Sequence, residues 1–388
     1  MYLRTAQTTV KRLAKGFPVV VITGPRQSGK TTLTKLTFPD KPYISLEDPD
    51  ILAIAESDPR RFLENYADGA IFDEAQRAPK LFSYLQTIVD QNHKPGRYII
   101  TGSQQFGLLS GITQSLAGRA GLVQLLPFSV NELQQAKKLP KTTDELLIKG
   151  YYPPLHHRSI DHKDWFANYL VTYIERDVRQ LINVQDLSMF RRFVKMCAAR
   201  TGQLLNLSTL AGDCGISHNT AAAWLSALEA SYLVYLLHPH YENFNKRLVK
   251  TPKLYFYDVG LASYLLGIHS SKAVTFHAMR GRLFETMIIG EFLKFFLNQG
   301  REAPVYFWRD NKGIEVDLLL EKDNTLVPVE IKSGATIASD YTDSLQKWMD
   351  FSKTKAPAWL FYDGSQHLAK GQIKIIPWQS GLTELTNG

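Results

Sequence analysis

Residues 24–31 read Gly-Pro-Arg-Gln-Ser-Gly-Lys-Thr, directly after the apolar run Val19-Val20-Val21-Ile22-Thr23. This order predicts a strand that feeds a glycine-bounded loop and then a helix. Such a loop turns its backbone N–H groups toward an anion, and the helix aims the positive end of its dipole at the same point. The chemistry is the binding of a phosphate chain, the Walker A pattern. Lys30 can reach the β- and γ-phosphates, and the Thr31 hydroxyl can ligate Mg²⁺. Gly24, Pro25, Arg26, Gln27, Ser28, Gly29, Lys30, Thr31 and Thr32 are the candidate nucleotide-binding residues, and ATP and Mg²⁺ are the expected cofactors.

About 45 residues later, Gly69-Ala70-Ile71-Phe72-Asp73-Glu74 is an apolar strand that ends in two acids. Parallel strands of one sheet bring such tips together. Asp73 would hold Mg²⁺ through water, and Glu74 would orient or deprotonate an attacking water. A third strand, residues 97–104, ends in small polar residues. Ser103 is the first candidate for sensing a γ-phosphate there, and Gln104 the second. Arg119 follows a short helical segment, 115–118. It suits the charge spread over a transferring phosphoryl group, in trans from a neighbouring subunit, or it serves as a salt-bridge residue. Arg176 and Arg179, one helical turn apart, either reach a phosphate or pair with Glu175 and Asp177.

A second constellation lies near the other end. Gly313-Ile314-Glu315-Val316-Asp317 is followed by Val329-Glu330-Ile331-Lys332-Ser333-Gly334. A hairpin would bring Asp317 near Glu330 and Lys332, the arrangement of a metal-dependent nuclease. Asp317 and Glu330 offer hard oxygen ligands for Mg²⁺, and Lys332 can position a water or stabilise developing charge. Glu285, on a preceding helix, is a further candidate acid.

The elements that must position these groups fall into four stretches. Residues 1–130 alternate apolar strands (19–23, 43–46, 70–73, 98–101, 122–126) with helical patterns, which predicts a parallel sheet covered on both faces. Residues 131–183 turn helical and polar and read as a lid. Residues 184–248 read as helix, glycine turn, helix and ribbon, the winged helix-turn-helix layout. Ser217, His218, Asn219 and Thr220 would open its recognition helix. Residues 249–388 carry a long apolar helix and strands at 305–309, 314–321, 326–332 and 358–362. The expected fold is α/β. Leu3, Val10 and Leu13 look like one face of a short amphipathic helix ahead of the first strand.

Composition sets outer bounds. The chain has 388 residues, 44% hydrophobic and 21% charged, which allows several globular domains. No run of eighteen apolar residues exists, so no membrane partner is expected. The N-terminus lacks a signal-type apolar core. Two cysteines, Cys197 and Cys214, lack metal spacing and fit a reducing cytoplasm. A net charge of +8 favours polyanionic partners.

In their joint order these segments resemble a prokaryotic family of AAA+-like ATPases. Its members carry an N-terminal P-loop ATPase domain, a winged helix, and a C-terminal domain of unknown function with a restriction-endonuclease-like fold. The resemblance rests on residues 24–33, 72–76, 101–105, 115–119, 173–178, 281–285 and 329–332. It implies ATP binding and hydrolysis in a ring or other homo-oligomer. The last domain is also similar to archaeal Holliday-junction resolvases, which implies duplex or branched DNA as a partner. The expected function is an ATP-hydrolysing protein that acts on DNA by binding or metal-dependent cleavage. The alternative is a nucleotide-dependent protein-interaction switch without cleavage.

Overall fold

The computed structural model describes residues 2–103, 114–174, 186–240 and 249–387. Its first apolar runs form strands β1 (Val19–Thr23), β2 (Tyr43–Ser45), β3 (Ala70–Asp73), β4 (Tyr98–Gly102) and β5 (Ala120–Gln124). They pair in parallel in the order β2-β3-β4-β1-β5. The runs show no polar alternation because both faces are covered. Val19, Val21, Phe72 and Ile100 face a core shared with Phe82 and Leu85 of helix Lys80–Gln91. Val20, Ile22, Ile71 and Ile99 face Val10 and Leu33, on helices Ala6–Leu13 and Lys30–Thr37. Leu3 departs from the expected helical face: it precedes the helix and is 64% exposed.

Short helices follow at Val130–Gln135, Thr143–Lys149, Pro153–His157 and His162–Tyr169. Capping boxes Ser129/Glu132 and Thr142/Glu145 start the first two. A three-helix unit comprises Leu187–Ala198, Leu207–Cys214 and His218–Ala230. Phe190, Phe193, Val194 and Cys197 are buried as their spacing predicts. The ribbon strands are β6 (Gln203–Leu204), β7 (Val234–Leu237) and β8 (Lys253–Phe256), antiparallel in the order β6-β8-β7. The ribbon therefore extends past residue 248, where the expected unit ends. Its middle strand is four residues long, too short to show a period in sequence.

The last sheet holds β9 (Val305–Arg309), β10 (Glu315–Lys322), β11 (Thr325–Lys332), β12 (Ala358–Tyr362), β13 (Leu368–Lys370) and β14 (Ile373–Pro377). Their order is β13-β14-β12-β11-β10-β9, with parallel pairs flanking β12 and antiparallel pairs elsewhere. Asp323 and Asn324 both take positive φ, 49° and 59°, as a two-residue hairpin turn requires. Helix Arg280–Asn298 covers one face. One apolar cluster runs from Phe128 and Leu147 through Leu228 to Phe292 and Phe361. The lid helices, the three-helix unit and this sheet thus share a core. Cys197 and Cys214 are buried free thiols. Among the described residues no helix is long and apolar enough to cross a membrane.

Candidate functional site

Parallel register brings the carboxyl ends of β1, β3 and β4 to one edge, with β4 in the middle. Gly24 leaves β1 at φ 145°, and a Cβ there would lie 2.1 Å from the Leu125 carbonyl oxygen. Gly29, at φ 95°, begins helix Lys30–Thr37 with no side chain capping it. The first-turn N–H groups are left for an external acceptor. Lys30 is 5% exposed. Its Nζ donates to the carbonyl oxygens of Gly24 and Pro25 at 3.0 and 2.9 Å. The Ser28 Oγ is buried without a partner among the described residues. Uncapped amides, an ammonium held by neutral carbonyls and an orphan hydroxyl fit a phosphate chain.

Asp73 collects hydroxyls. Thr31 Oγ1 donates to it at 2.8 Å, the Tyr43 hydroxyl at 2.5 Å, and Thr101 Oγ1 from β4. Burial and then Asp73 push the Tyr43 pKa up, which keeps this hydroxyl a donor. The hard oxygens of Thr31 and Asp73 are of the kind that suits Mg²⁺. Glu74 has a left-handed backbone, φ 55°. Its Oε2 accepts from Ser103 Oγ at 2.9 Å and from Gln76 Nε2 at 2.5 Å. Ser103 thus holds the carboxylate of Glu74 at the tip of β3. Gln76 was not singled out by type or spacing.

Other groups around the loop escaped sequence reasoning. Arg4 is 9% exposed. Its guanidinium donates to Ser28 O at 2.6 Å, Leu126 O at 2.7 Å and Glu132 Oε1 at 3.1 Å. It ties the loop to the end of β5 and the first lid helix. Glu132 was legible as a capping-box residue; nothing near Arg4 marks it. Tyr232 donates to Thr23 Oγ1 at 2.7 Å, from the end of helix His218–Ala230. An apolar cavity of about 450 Å³ flanks helix Lys30–Thr37, walled by Tyr2, Leu36, Phe128, Pro153 and His157.

Arg119 lies at the other end of the sheet. It precedes β5, beside Val19, and pairs with Asp90 at 2.5 and 2.9 Å. Five strand residues separate that edge from the loop, roughly 16 Å. Arg119 therefore does not reach a phosphate in its own loop. Gln104, Arg176 and Arg179 lie outside the described residues.

Glu285, Asp317, Glu330 and Lys332 all line a second cavity of about 450 Å³. Asp317 accepts from the Ile331 N–H at 2.9 Å, and Lys332 Nζ donates to Glu330 Oε1 at 2.6 Å. Glu330 Oε2 is buried with no partner among the described residues. Burial first, and neighbouring carboxylates second, push both acids above the ordinary carboxylate range. An orphan carboxylate oxygen beside a second raised acid fits a cation. Among the described residues no three His, Cys, Asp or Glu converge as a complete ligand set. Asp317 and Glu330 are the two acids that could contribute oxygens to an ion here. Glu285 differs: its Oε1 accepts from Lys253 Nζ at 3.0 Å and the Tyr255 hydroxyl at 2.5 Å, and its Oε2 from Arg282 at 3.1 Å. Both its oxygens are engaged, so it is not an open ligand. Lys253, Tyr255 and Arg282 were not anticipated.

Comparison with known proteins assigns family models to three stretches of the chain. Residues 16–134 match a family model described as an AAA domain. Residues 140–272 and 280–380 match two domains of unknown function, DUF8612 and DUF4143. The chain is 32% identical over 336 residues to the uncharacterized protein Mb2031c of Mycobacterium bovis, covering 86% of this chain and 74% of that one. The same figures hold for the uncharacterized protein Rv2008c of Mycobacterium tuberculosis. Among solved structures it is similar to the Walker-type ATPase paby2304 of Pyrococcus abyssi, at 16% identity and a TM-score of 0.48 over 68% of this chain and 96% of that one. The first sheet and its loop are an AAA-type nucleotide-binding ATPase domain, and the last sheet forms a separate mixed-sheet domain.

Proposed function

Because the chain belongs to one family with the mycobacterial proteins Mb2031c and Rv2008c, and carries an AAA domain, we propose that it hydrolyses ATP and couples the cycle to DNA. One observation carries the ATPase reading. Lys30, the Thr31–Asp73 pair and the Ser103-held Glu74 converge on a single sheet edge. Lys30 leaves its two carbonyls for the β- and γ-phosphates, a charged partner being the stronger acceptor. Thr31 and Asp73 would hold Mg²⁺, which would supply positive charge to the phosphate oxygens. Glu74 takes the proton of the attacking water, and Ser103 fixes its carboxylate for that role. The apolar cavity of Tyr2, Leu36, Phe128 and His157 takes the base. Arg119, too far from its own loop, serves a neighbour's phosphates in a homo-oligomer.

For DNA, two features support the reading. Ser217, His218 and Asn219 are exposed at the start of helix His218–Ala230, the recognition helix of a winged helix-turn-helix. Asp317 and Glu330 would hold a divalent cation that polarises a phosphodiester, and Lys332 would position its nucleophilic water. A second reading, a nucleotide-dependent switch with protein partners, is favoured by one fact. Helix His218–Ala230 contains no lysine or arginine. Turnover of ATP against duplex, single-stranded and branched DNA, with mass determination with and without nucleotide, tests the scheme. Lys30→Ala should lower turnover by about 10²–10³-fold, and unchanged turnover overturns the ATPase reading. DNA binding should weaken as salt rises, through counterion release. Binding to none of the three DNA forms leaves the protein-partner reading.

A further inference from the structure

The carboxyl-terminal cavity has two unlike halves. In one, Asp317 and Glu330 line the wall from neighbouring strands, and Glu330 Oε2 has no partner among the described residues. In the other, every oxygen of Glu285 and Glu315 is engaged. Lys253 Nζ lies 3.0 Å from Glu285 Oε1 and 2.6 Å from Glu315 Oε1. Arg282 takes Glu285 Oε2 at 3.1 Å, and Arg309 takes Glu315 Oε2 at 2.8 Å.

Lys253 is foreign to the sheet that builds this cavity. It lies on β8, the middle strand of the ribbon, and only 1% of its side chain is exposed. Tyr255, two residues on and so on the same strand face, reaches Glu285 as well. Arg282 also donates to the Gly202 carbonyl beside β6. The ribbon thus inserts one fixed positive charge between two acids. A buried ammonium is tolerated only where carboxylates repay its lost hydration. Two-metal phosphodiester sites hold ions about 3.5–4 Å apart and need acids on both sides.

We propose that Lys253 is the resident cation of the Glu285–Glu315 half, so that the cavity admits one divalent ion, at Asp317–Glu330, and excludes a second. This rests on the reading of Asp317 and Glu330 as cation ligands. It assigns Lys253 as a positioning residue that sets ion number, and it makes the acid site's charge depend on the seat of the ribbon.

The test is titration of the nucleotide-free full chain with Mn²⁺, followed by the electron-spin signal of the free ion. All proteins carry Asp73→Asn, which removes the acid at the phosphate loop. The parent should bind one Mn²⁺ per chain, with at least tenfold loss of affinity in Glu330→Gln. Lys253→Met should bind two, and Lys253→Met combined with Glu315→Gln should return to one. A parent that binds two, or Lys253→Met that still binds one, overturns the proposal and leaves the Asp317–Glu330 reading standing. A parent indifferent to Glu330→Gln overturns both. Should Lys253→Met fail to fold, Glu285→Gln decides. One ion with affinity within threefold of the parent supports Lys253 as occupant, and a tenfold loss shows Glu285 to be a ligand and overturns it.

Discussion

In the phosphate loop Lys30 rests on two neutral carbonyls, whereas in the carboxyl-terminal cavity Lys253 rests between two carboxylates. An anionic phosphate is a stronger acceptor for the first ammonium than either carbonyl, so a charge-assisted bond is open to it. The second already sits between two carboxylates, and displacing it would take a buried cation from each. Two buried lysines therefore serve opposite purposes: the one at a helix start is placed for exchange, and the one on a strand is held between acids. The partners differ in origin too. Those of Lys30 lie five and six residues away, and those of Lys253 lie 32 and 62 residues away.

Four measurements sharpen or break this contrast. The largest effect belongs to Glu74→Gln, which should cut ATP turnover by about 10²–10⁴-fold. Nucleotide affinity should persist, since Lys30 and the loop amides remain. A parallel loss of affinity would mean that Glu74 supports the loop itself.

Next comes Arg4→Met, which takes the guanidinium away from Glu132 and from the Ser28 and Leu126 carbonyls. Breaking a buried pair of this kind costs about 3–5 kcal/mol. Chemical denaturation should show it, and a change below 1 kcal/mol would make the clamp dispensable.

A pH effect should follow from Asp317 and Glu330. Both hold their protons more tightly in the folded chain than the ordinary carboxylate range, about 4, allows. Above that value the folded state binds more protons than the unfolded one, so their contribution to stability falls as pH rises toward their raised pKa values. In chelator-treated protein Glu330→Gln should flatten this slope, and an unchanged slope would assign the titration elsewhere. The smallest effect is that of Arg119→Ala. Its pair with Asp90 is partly exposed, 30% and 39%, so solvent screens it and stability should hardly change. A larger loss in thermal melts would mark Arg119 as a structural brace.

What the sequence makes legible follows the same division. Walker-type residues are legible because a strand, a tight loop and a helix follow one another without interruption, and chemistry is confined to the joints. Asp317, Glu330 and Lys332 are legible because a two-residue turn joins their strands. Arg4, Tyr232, Lys253 and Tyr255 are not. Each meets its partner across a tertiary contact, and each is of a type common on surfaces or in cores. Strand β8 is hidden by its brevity, and β13 and β14 by polar residues within and between them. Leu3 misleads because an apolar side chain near a helix start need not join its face.

The hydroxyl of Tyr232 reaches the last residue of β1, one position before the phosphate loop, from the far end of helix His218–Ala230. Any recoil of that strand tip when a γ-phosphate arrives or departs must either snap this bond or drag the helix with it. The chain is therefore wired behind the nucleotide as well as in front of it, like a trigger whose sear lies on the hidden side of the breech.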